Sequence, residues 1–358
     1  MNNRLQKLRS KFDEKEIDAI FVTQSENRHY LSGFDGSAGF LIITAQKAVL
    51  ATDFRYTEQA VTEAPDFEIL RIANNINVWF PGLIHELGIK KPGFEACDVN
   101  FNFHRQLNDA LKEKKLAVKM VPVNGLVEAV RAVKEPGEIE LIKKSASITD
   151  AAYESVAKNI RPGVTEKEVA WELEKALREK GSQALPFEII VASGPRAALP
   201  HAKPSERVIE DGDPVVIDMG ARFGGYASDL TRTICAGKAD ATFRKVYNTV
   251  FDAQKAAMAT IREGIPGKQA DSVARKIIEK VGYGEAFGHS LGHGVGLAAH
   301  ELPRLGPNSE DSLTEDMVFT VEPGIYISGW GGVRIEDTVV MEKGKARPIT
   351  RAVKARYD

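Results

Sequence analysis

Three of the chain's seven histidines, His289, His293 and His300, fall in one short stretch, GHSLGHGVGLAAHE (288–301). Their spacing would align them on one helix face. Gly288, Gly292, Gly294 and Gly296 run through the same residues, however, and each costs a helix about 1 kcal/mol relative to alanine. The stretch therefore reads as loop and strand, with its histidines gathered around something. Four acids indicate what that is. Asp218 lies in VVIDMGA and Glu322 in VFTVEPGIYI, apolar β-rich runs with one embedded carboxylate each. Asp229 in GYASDLTRTI and Glu336 in GGVRIEDTVV sit in alternating runs, on the less apolar side. Strands this apolar are buried, and a buried carboxylate is rare unless paired or bound to metal. Four of them at one site could not all stay ionised unaided, because like charges raise one another's pKa. A pair of divalent cations resolves the conflict.

Local ion pairs are the competing reading: Asp229 with Arg232, and Glu336 with Arg334. Neighbours in a strand point to opposite faces, so Asp229 shares a face with Thr231 and Thr233 and not with Arg232. Arg334 does share a face with Glu336, and one ion pair is expected there even beside a metal. One imidazole with four carboxylates makes a hard, oxygen-rich site. It suits Mn(II), Co(II), Fe(II) or Zn(II) in pairs better than a thiolate zinc site would. Paired sites of this kind activate water for attack on a polarised carbonyl. The H-x-x-x-H at 289–293 is no zincin motif, since the Glu after the first His is missing and the glycines exclude the required helix.

The elements that must position these residues fall into two regions. Residues 1–131 alternate helix and strand, as expected of an α/β domain. Helices are expected over 2–15, 55–63, 77–87 and 103–114, and strands at DAIFVT, GFLIIT, AVLATD, FEILRI and KPGFEA. GFDGSAG (33–39) lacks the G-x-G-x-x-G spacing of a phosphate loop and reads as a turn between strands. A boundary falls in RAVKEPGEIELIKKSA, where Pro136 and Gly137 interrupt the pattern before a long helix from about Glu138 to Asn159. Thr165 and Glu168 form a capping box opening a second helix, which Gly181 closes. Strands are expected at FEIIVAS, DPVVIDMGA and GYASDLTRTICAG. The order then repeats: TIREGI (260–265) echoes NIRPGV (159–164), and a helix ending near Gly282 echoes the one ending at Gly181 at the same offset. Each half is helix, helix, then strands bearing an acid pair, which implies two half-domains related by pseudo-symmetry.

Bulk properties narrow the class. The 358 residues suggest two domains. A net charge of −2 gives no basic field for nucleic acid and no polybasic membrane patch. No apolar run approaches the roughly 20 residues of a membrane span, and the charged N-terminus has no signal-peptide core. The two cysteines, Cys97 and Cys235, form no C-x-x-C. A soluble cytoplasmic enzyme is expected.

The segments IDMGARFGGYASDLTRT, FGHSLGHGVGLAAHE, VEPGIY and GGVRIEDT resemble the metal-binding motifs of the pita-bread metallopeptidases. NRHYLSGFDGSAGFLIIT and TDFRYTEQA resemble the N-terminal domain of the short bacterial Xaa-Pro peptidases, aminopeptidase P and prolidase. The resemblance covers essentially the whole chain. It implies an α+β pita-bread catalytic domain over 132–358, with an internal pseudo-two-fold repeat. A smaller α/β, creatinase/prolidase-like N-terminal domain would precede it over 1–131. Asp218, Asp229, His293, Glu322 and Glu336 would hold two divalent ions, Mn(II) first among the candidates, with Asp229 and Glu336 bridging. His201, in ALPHAKPS, and His300 would line the substrate site, and His289 would lie near it without being a ligand. Glu322 is the candidate general base, and Thr231 and Thr233 are candidate donors to the bound carboxylates.

The implied reaction is hydrolysis of the bond between an N-terminal residue and proline, a tertiary amide with no N–H. Substrates would be Xaa-Pro dipeptides or short peptides with proline second, handled by a homodimer. The alternative is a non-catalytic pita-bread peptide-binding module, which would tolerate losses among the five ligands; all five are present. A methionine aminopeptidase would lack the extra N-terminal domain, and a creatinase would not keep the full ligand set. GLAAHE carries alanines where larger residues are common, implying a roomier space beside His300. Dipeptidase and aminopeptidase stay open.

Overall fold

The computed structural model describes residues 3–73 and 75–357. The chain divides into two compact units, Met1–Arg131 and Ala132–Asp358.

The first unit is built on a mixed six-stranded sheet. Its strands are β1 (Ala19–Val22), β2 (Phe40–Thr44), β3 (Ala48–Thr52), β4 (Glu68–Arg71), β5 (Pro92–Glu95) and β6 (Val121–Val123), in the order β4-β3-β2-β1-β5-β6. β1 runs antiparallel to β2 and parallel to β5. Its helices are α1 (Asn3–Arg9), α2 (Ser25–Ser32), α3 (Thr57–Glu63), α4 (Ile76–Glu86), α5 (Phe101–Glu113) and α6 (Leu126–Ala132). The central strands are buried along their length, as expected when helices cover a sheet. α1 is shorter than its pattern suggests, giving way to turns after Arg9. α2, α6 and β6 carry too few periodic positions to stand out in sequence. β6 also contains Pro122, which is tolerated because the strand is an edge. GFDGSAG turns out to link α2 to β2 and not strand to strand. The buried Arg28 guanidinium donates to the carbonyls of Gly36 and Gly39 at 2.6 and 3.0 Å, fixing that turn.

The second unit opens with α7 (Pro136–Ala157) and α8 (Glu166–Glu179). α7 begins two residues before the sequence pattern suggests. Pro136 occupies the first turn, where its missing N–H would have no helical partner anyway, and Glu135 with Glu138 forms a capping box. The Thr165–Glu168 box opens α8, and Gly181, at φ 103°, stands just past its end. Strands β7 (Ile190–Ser193), β8 (Pro214–Met219), β9 (Arg222–Phe223), β10 (Tyr226–Ala227) and β11 (Leu230–Cys235) follow. β7, β8 and β11 form an antiparallel sheet with β8 central.

The pattern then recurs. α9 (Ala241–Thr260) and α10 (Gly267–Lys280) precede a second set of strands, with Gly282 at φ 91° past the end of α10. These are β12 (Gly292–Gly294), β13 (Glu301–Leu305), β14 (Val318–Val321), β15 (Gly324–Ile327), β16 (Gly331–Arg334), β17 (Asp337–Glu342) and β18 (Lys345–Pro348). The larger antiparallel sheet runs β13-β12-β14-β17-β18, while β15 and β16 form a hairpin. Each half buries its own apolar core. One gathers Ile148, Leu173, Val191 and Ile217; the other gathers Val246, Ala270, Phe319 and Val339. Two helix pairs, two larger sheets each with a two-stranded hairpin, and two cores are the structural form of the repeat read from the sequence.

Candidate metal centre

Each half contributes one pair of acids from one antiparallel strand pair. Asp218 lies within β8, and Asp229 immediately precedes its partner β11. Glu322 immediately follows β14, and Glu336 immediately precedes its partner β17. The halves are stitched together at these positions. The Glu336 N–H donates to Thr231 O at 3.0 Å, and Thr338 Oγ1 donates to Asp229 O at 2.7 Å.

His293 comes from β12, and the glycines around it have a geometric cause. A Cβ on Gly292 would stand 2.0 Å from Thr320 O, and one on Gly294 would stand 2.0 Å from Leu302 O. The neighbouring strands pack against this backbone too closely for any side chain. The glycines therefore serve sheet packing, and that packing fixes where His293 points. Its Nδ1 lies 3.1 Å from Gly294 O, so an Nδ1–H donated there leaves the Nε2 lone pair free. Nε2 sits 3.2 Å from Glu322 Oε1 and 3.7 Å from Asp229 Oδ2. Asp229, His293 and Glu336 each offer a ligand atom, all within 4.8 Å of one another.

Thr231 Oγ1 donates to Glu336 Oε2 at 2.6 Å, and Thr320 Oγ1 donates to Glu322 Oε1 at 2.9 Å. Thr233 does not reach a carboxylate; it donates instead to the Arg334 carbonyl at 2.8 Å. Arg334 does not pair with Glu336, contrary to the strand-face argument. β16 ends at Arg334 and β17 starts at Asp337, so strand alternation does not carry across to Glu336. The guanidinium reaches Asp218 Oδ2 at 2.6 Å, the Tyr326 hydroxyl at 2.8 Å and Pro200 O at 3.3 Å. Arg232 likewise leaves Asp229 alone and pairs with Asp337 at 2.8 Å.

The electrostatics are those of carboxylates lacking counter-charge. Burial pushes Asp218 up, and pushes Asp229 and Glu336 well above the ordinary carboxylate range. The neighbouring acids push the same way: Glu336 on Asp229, and Glu322 on both Asp218 and Glu336. Burial would raise Glu322 too, but the hydrogen bond and charge of His293, with His289 and Arg334, hold it down at about 2. Asp218 Oδ1 is buried with no hydrogen-bond partner among the described residues. Such an oxygen costs free energy unless something else satisfies it. Hard oxygen donors, one imidazole, mutual repulsion and an orphaned acceptor together fit divalent metal.

Three more histidines of the second unit lie around this cluster. The His300 ring lies 4.0 Å from that of His293, and burial together with His293 lowers its pKa. His289 Nε2 lies 3.0 Å from the Tyr326 hydroxyl, and burial lowers its pKa as well. His201 is exposed, close enough for its charge to act on both His289 and His300. His29, His85 and His104 belong to the first unit, where His104 packs on Phe94 at 4.8 Å.

The chain matches known proteins along nearly its whole length. Residues 140–343 match metallopeptidase family M24, and residues 4–133 match the creatinase/prolidase N-terminal domain. The chain belongs to metallopeptidase family M24. It is 37% identical over 352 residues to the Xaa-Pro dipeptidase of Pyrococcus horikoshii, covering 98% of this chain and 97% of that one. The Xaa-Pro dipeptidase structure from Bacillus anthracis superposes with a TM-score of 0.94 at 43% identity, covering 98% of each chain. The X-Pro aminopeptidase structure from Thermotoga maritima gives 0.87 at 38% identity, again covering 98% of each.

In this M24 peptidase, sequence reasoning missed the Tyr326–Arg334–Asp218 chain of contacts. VEPGIY and GGVRIEDT contain both partners, but a hydrogen bond running from a hairpin to a strand of the other half leaves no periodic signal.

Proposed function

We propose that this M24 peptidase hydrolyses the peptide bond between an N-terminal residue and proline. The site would hold two divalent ions through Asp218, Asp229, His293, Glu322 and Glu336, with Asp229 and Glu336 shared between them. The observation that carries this reading is the Asp229–His293–Glu336 cluster, with Glu322 3.2 Å from His293 and Asp218 Oδ1 left without a partner among the described residues, in a chain matching, nearly end to end, proteins named Xaa-Pro dipeptidase and X-Pro aminopeptidase. When bound, the ions supply Lewis acidity to the scissile carbonyl and a nucleophile at neutral pH. Mn(II) is the proposed occupant, ahead of Co(II), Fe(II) and Zn(II), because the donors are dominated by carboxylate oxygen.

The chain's own residues divide the remaining work. Glu322 is assigned the proton of the attacking water. His300, its pKa lowered by burial and by His293, enters neutral, receives that proton from Glu322 and delivers it to the leaving proline nitrogen. His201 orients the carbonyl from the solvent side, and the acidic cluster attracts the substrate's free α-amine. Thr231 keeps Glu336 aimed, and Arg334 neutralises one oxygen of Asp218. The proposed enzyme works in the cytoplasm as a homodimer, with its catalytic residues in 132–358.

Chelator-stripped protein with and without added Mn(II) tests this on alanyl-proline and on an Ala-Pro-Yaa tripeptide. Metal-restored cleavage of the dipeptide alone identifies a dipeptidase; cleavage of the tripeptide identifies an aminopeptidase. Failure on both, with metal bound, sinks the proline assignment and favours a non-catalytic peptide-binding module.

A further inference from the structure

The loop that carries His201 is fastened at both feet to one buried carboxylate. Glu166, the first residue of α8, is fully buried. Its Oε1 accepts from the Ser193 backbone N–H at 2.8 Å and from the Ser193 hydroxyl at 2.9 Å, where β7 ends. Its Oε2 accepts from the Ser205 backbone N–H at 3.0 Å, the Ser205 hydroxyl at 2.6 Å and Arg196 Nε at 3.0 Å. One side chain thus holds the loop's departure, its return and, through Arg196, its interior.

The surrounding contacts act in the same direction. The first N–H groups of a helix have no partner within it. In α8 those of Glu166 and Lys167 donate to the carbonyls of Arg207 and Ser205, both at 3.1 Å. Arg196 Nη2 spans the loop to Lys203 O at 2.6 Å, and Arg207 Nη1 reaches the Ser193 hydroxyl at 2.6 Å. On the far side, Ala197 O lies so near Gly332 that a Cβ there would stand 2.1 Å away. Pro200, the residue before His201, accepts from Arg334 at 3.3 Å.

A buried ionised carboxylate is tolerable only while its donors are in place. All five donors to Glu166 come from this loop's feet and interior. Opening the loop would therefore forfeit all five hydrogen bonds at once. His201 itself is exposed, so the backbone that Glu166 fixes sets its position.

We propose that Glu166 is a positioning residue that holds residues 194–204 in one conformation and so presents His201 to the substrate. This rests on the reading of His201 given above. The test is a double-mutant cycle on the Mn(II)-loaded enzyme with alanyl-proline, using Glu166→Gln, His201→Ala and the double variant. Metal affinity and amide hydrogen exchange are measured alongside.

His201→Ala is expected to lower kcat/KM by about 10²-fold. Glu166→Gln keeps the shape but turns an NH2 toward the donors. It should lower kcat/KM about 10- to 100-fold through misplacement. It should speed exchange of the amides between 195 and 204 while leaving Mn(II) affinity unchanged. In the His201→Ala background it should cost nothing further, because both changes act through one imidazole. Arg196→Gln cuts both ties of a half-buried side chain, to Glu166 and to Lys203 O, and should act in the same direction, which keeps the test open if Glu166→Gln fails to fold. Additive losses, or wild-type activity and loop exchange in Glu166→Gln, overturn the inference alone. Wild-type activity in His201→Ala overturns the reading of His201 and the inference with it.

Discussion

Thr231 donates its hydroxyl proton to Glu336 Oε2 across 2.6 Å, and its side chain belongs to one half of the catalytic unit while the carboxylate belongs to the other. The same hydroxyl accepts from Arg334 Nε at 3.1 Å, and Arg334 in turn holds Asp218. A single oxygen therefore sets the aim of two acids that come from different halves of the repeat.

Replacing Thr231 with valine, which has nearly the same shape, removes both contacts without opening a cavity. The expected result is a loss of metal affinity of about 10- to 100-fold, typical for partners that orient a ligand. Thr231→Ser should restore most of it. Titration of the apo protein with Mn(II) by calorimetry measures this directly. Unchanged affinity in the valine variant would mean that β-sheet pairing alone aims Glu336.

Metal removal should leave a protein whose stability depends on pH with a definite sign. Asp229 and Glu336 are pushed well above their ordinary values of 3.8 and 4.5, first by burial and then by neighbouring acids. Raised carboxyl pKa values mean that the folded apo protein binds more protons than the unfolded chain does. The resulting stability is fully present below the ordinary values and is lost as pH rises through the raised ones. Metal requires the deprotonated ligands, so its affinity grows over the same range. The melting temperature of the apo protein should therefore fall as pH rises above the ordinary values of 3.8 and 4.5, and the gap between holo and apo forms should widen. Parallel melting curves for the two forms would exclude these acids as the metal's ligands.

Much of this centre was legible because its residue types are hard to explain any other way. A lone Asp in VVIDMGA and a lone Glu in VFTVEPG have no local partner, and burial makes that expensive wherever the chain goes. The helix pairs were legible through capping boxes and terminal glycines, which are short-range chemistry. The contacts that escaped are long-range. Arg334 was assigned to Glu336 because alternation was assumed to run through a place where the strand breaks. Glu166 stands in a helix's first turn, where the dipole favours any acid, so its residue type carries no signal of burial. Only the fold shows that the His201 loop closes over it.

The ion pair behind the centre should control the stability of the second unit. Arg232 is fully buried and donates to the carbonyls of Glu336 and Ala352 as well as to Asp337. Asp337, in spite of its burial, is held below the ordinary range by the charges of Arg232 and Lys354. Arg232→Met would leave a buried carboxylate with Lys354 as its one cationic partner, beside the neutral donors Gln254 and Thr350, and strand two carbonyls. A cost of about 3–5 kcal/mol is expected for breaking such a pair. Disrupting the exposed Lys15–Glu14 pair, screened by solvent, should cost far less. Denaturant titration of each variant gives the comparison, and near-equal losses would show that Arg232 contributes no more than a surface charge.

In the first unit, Glu95 should make stability fall as pH rises. It is buried at the end of β5, accepting from the backbone N–H groups of Thr23 and Gln24 at 2.6 and 2.7 Å and from Asn27 at 2.5 Å. Burial pushes its carboxyl up to about 7 from 4.5, Glu128 adds to the rise, and those donors oppose it. The folded unit then keeps a proton that the unfolded chain has already released. Its stability is greatest below 4.5 and declines as pH passes through about 7. At about 1.4 kcal/mol per pKa unit, the difference is of order 3 kcal/mol. Hydrogen exchange of the β1 and β5 amides should accordingly be faster, beyond the intrinsic rate change, at about pH 8 than at about pH 5. Glu95→Gln carries no titrating proton and should remove that difference. If the variant keeps the same pH dependence, the three N–H donors outweigh burial and Glu95 is ionised throughout.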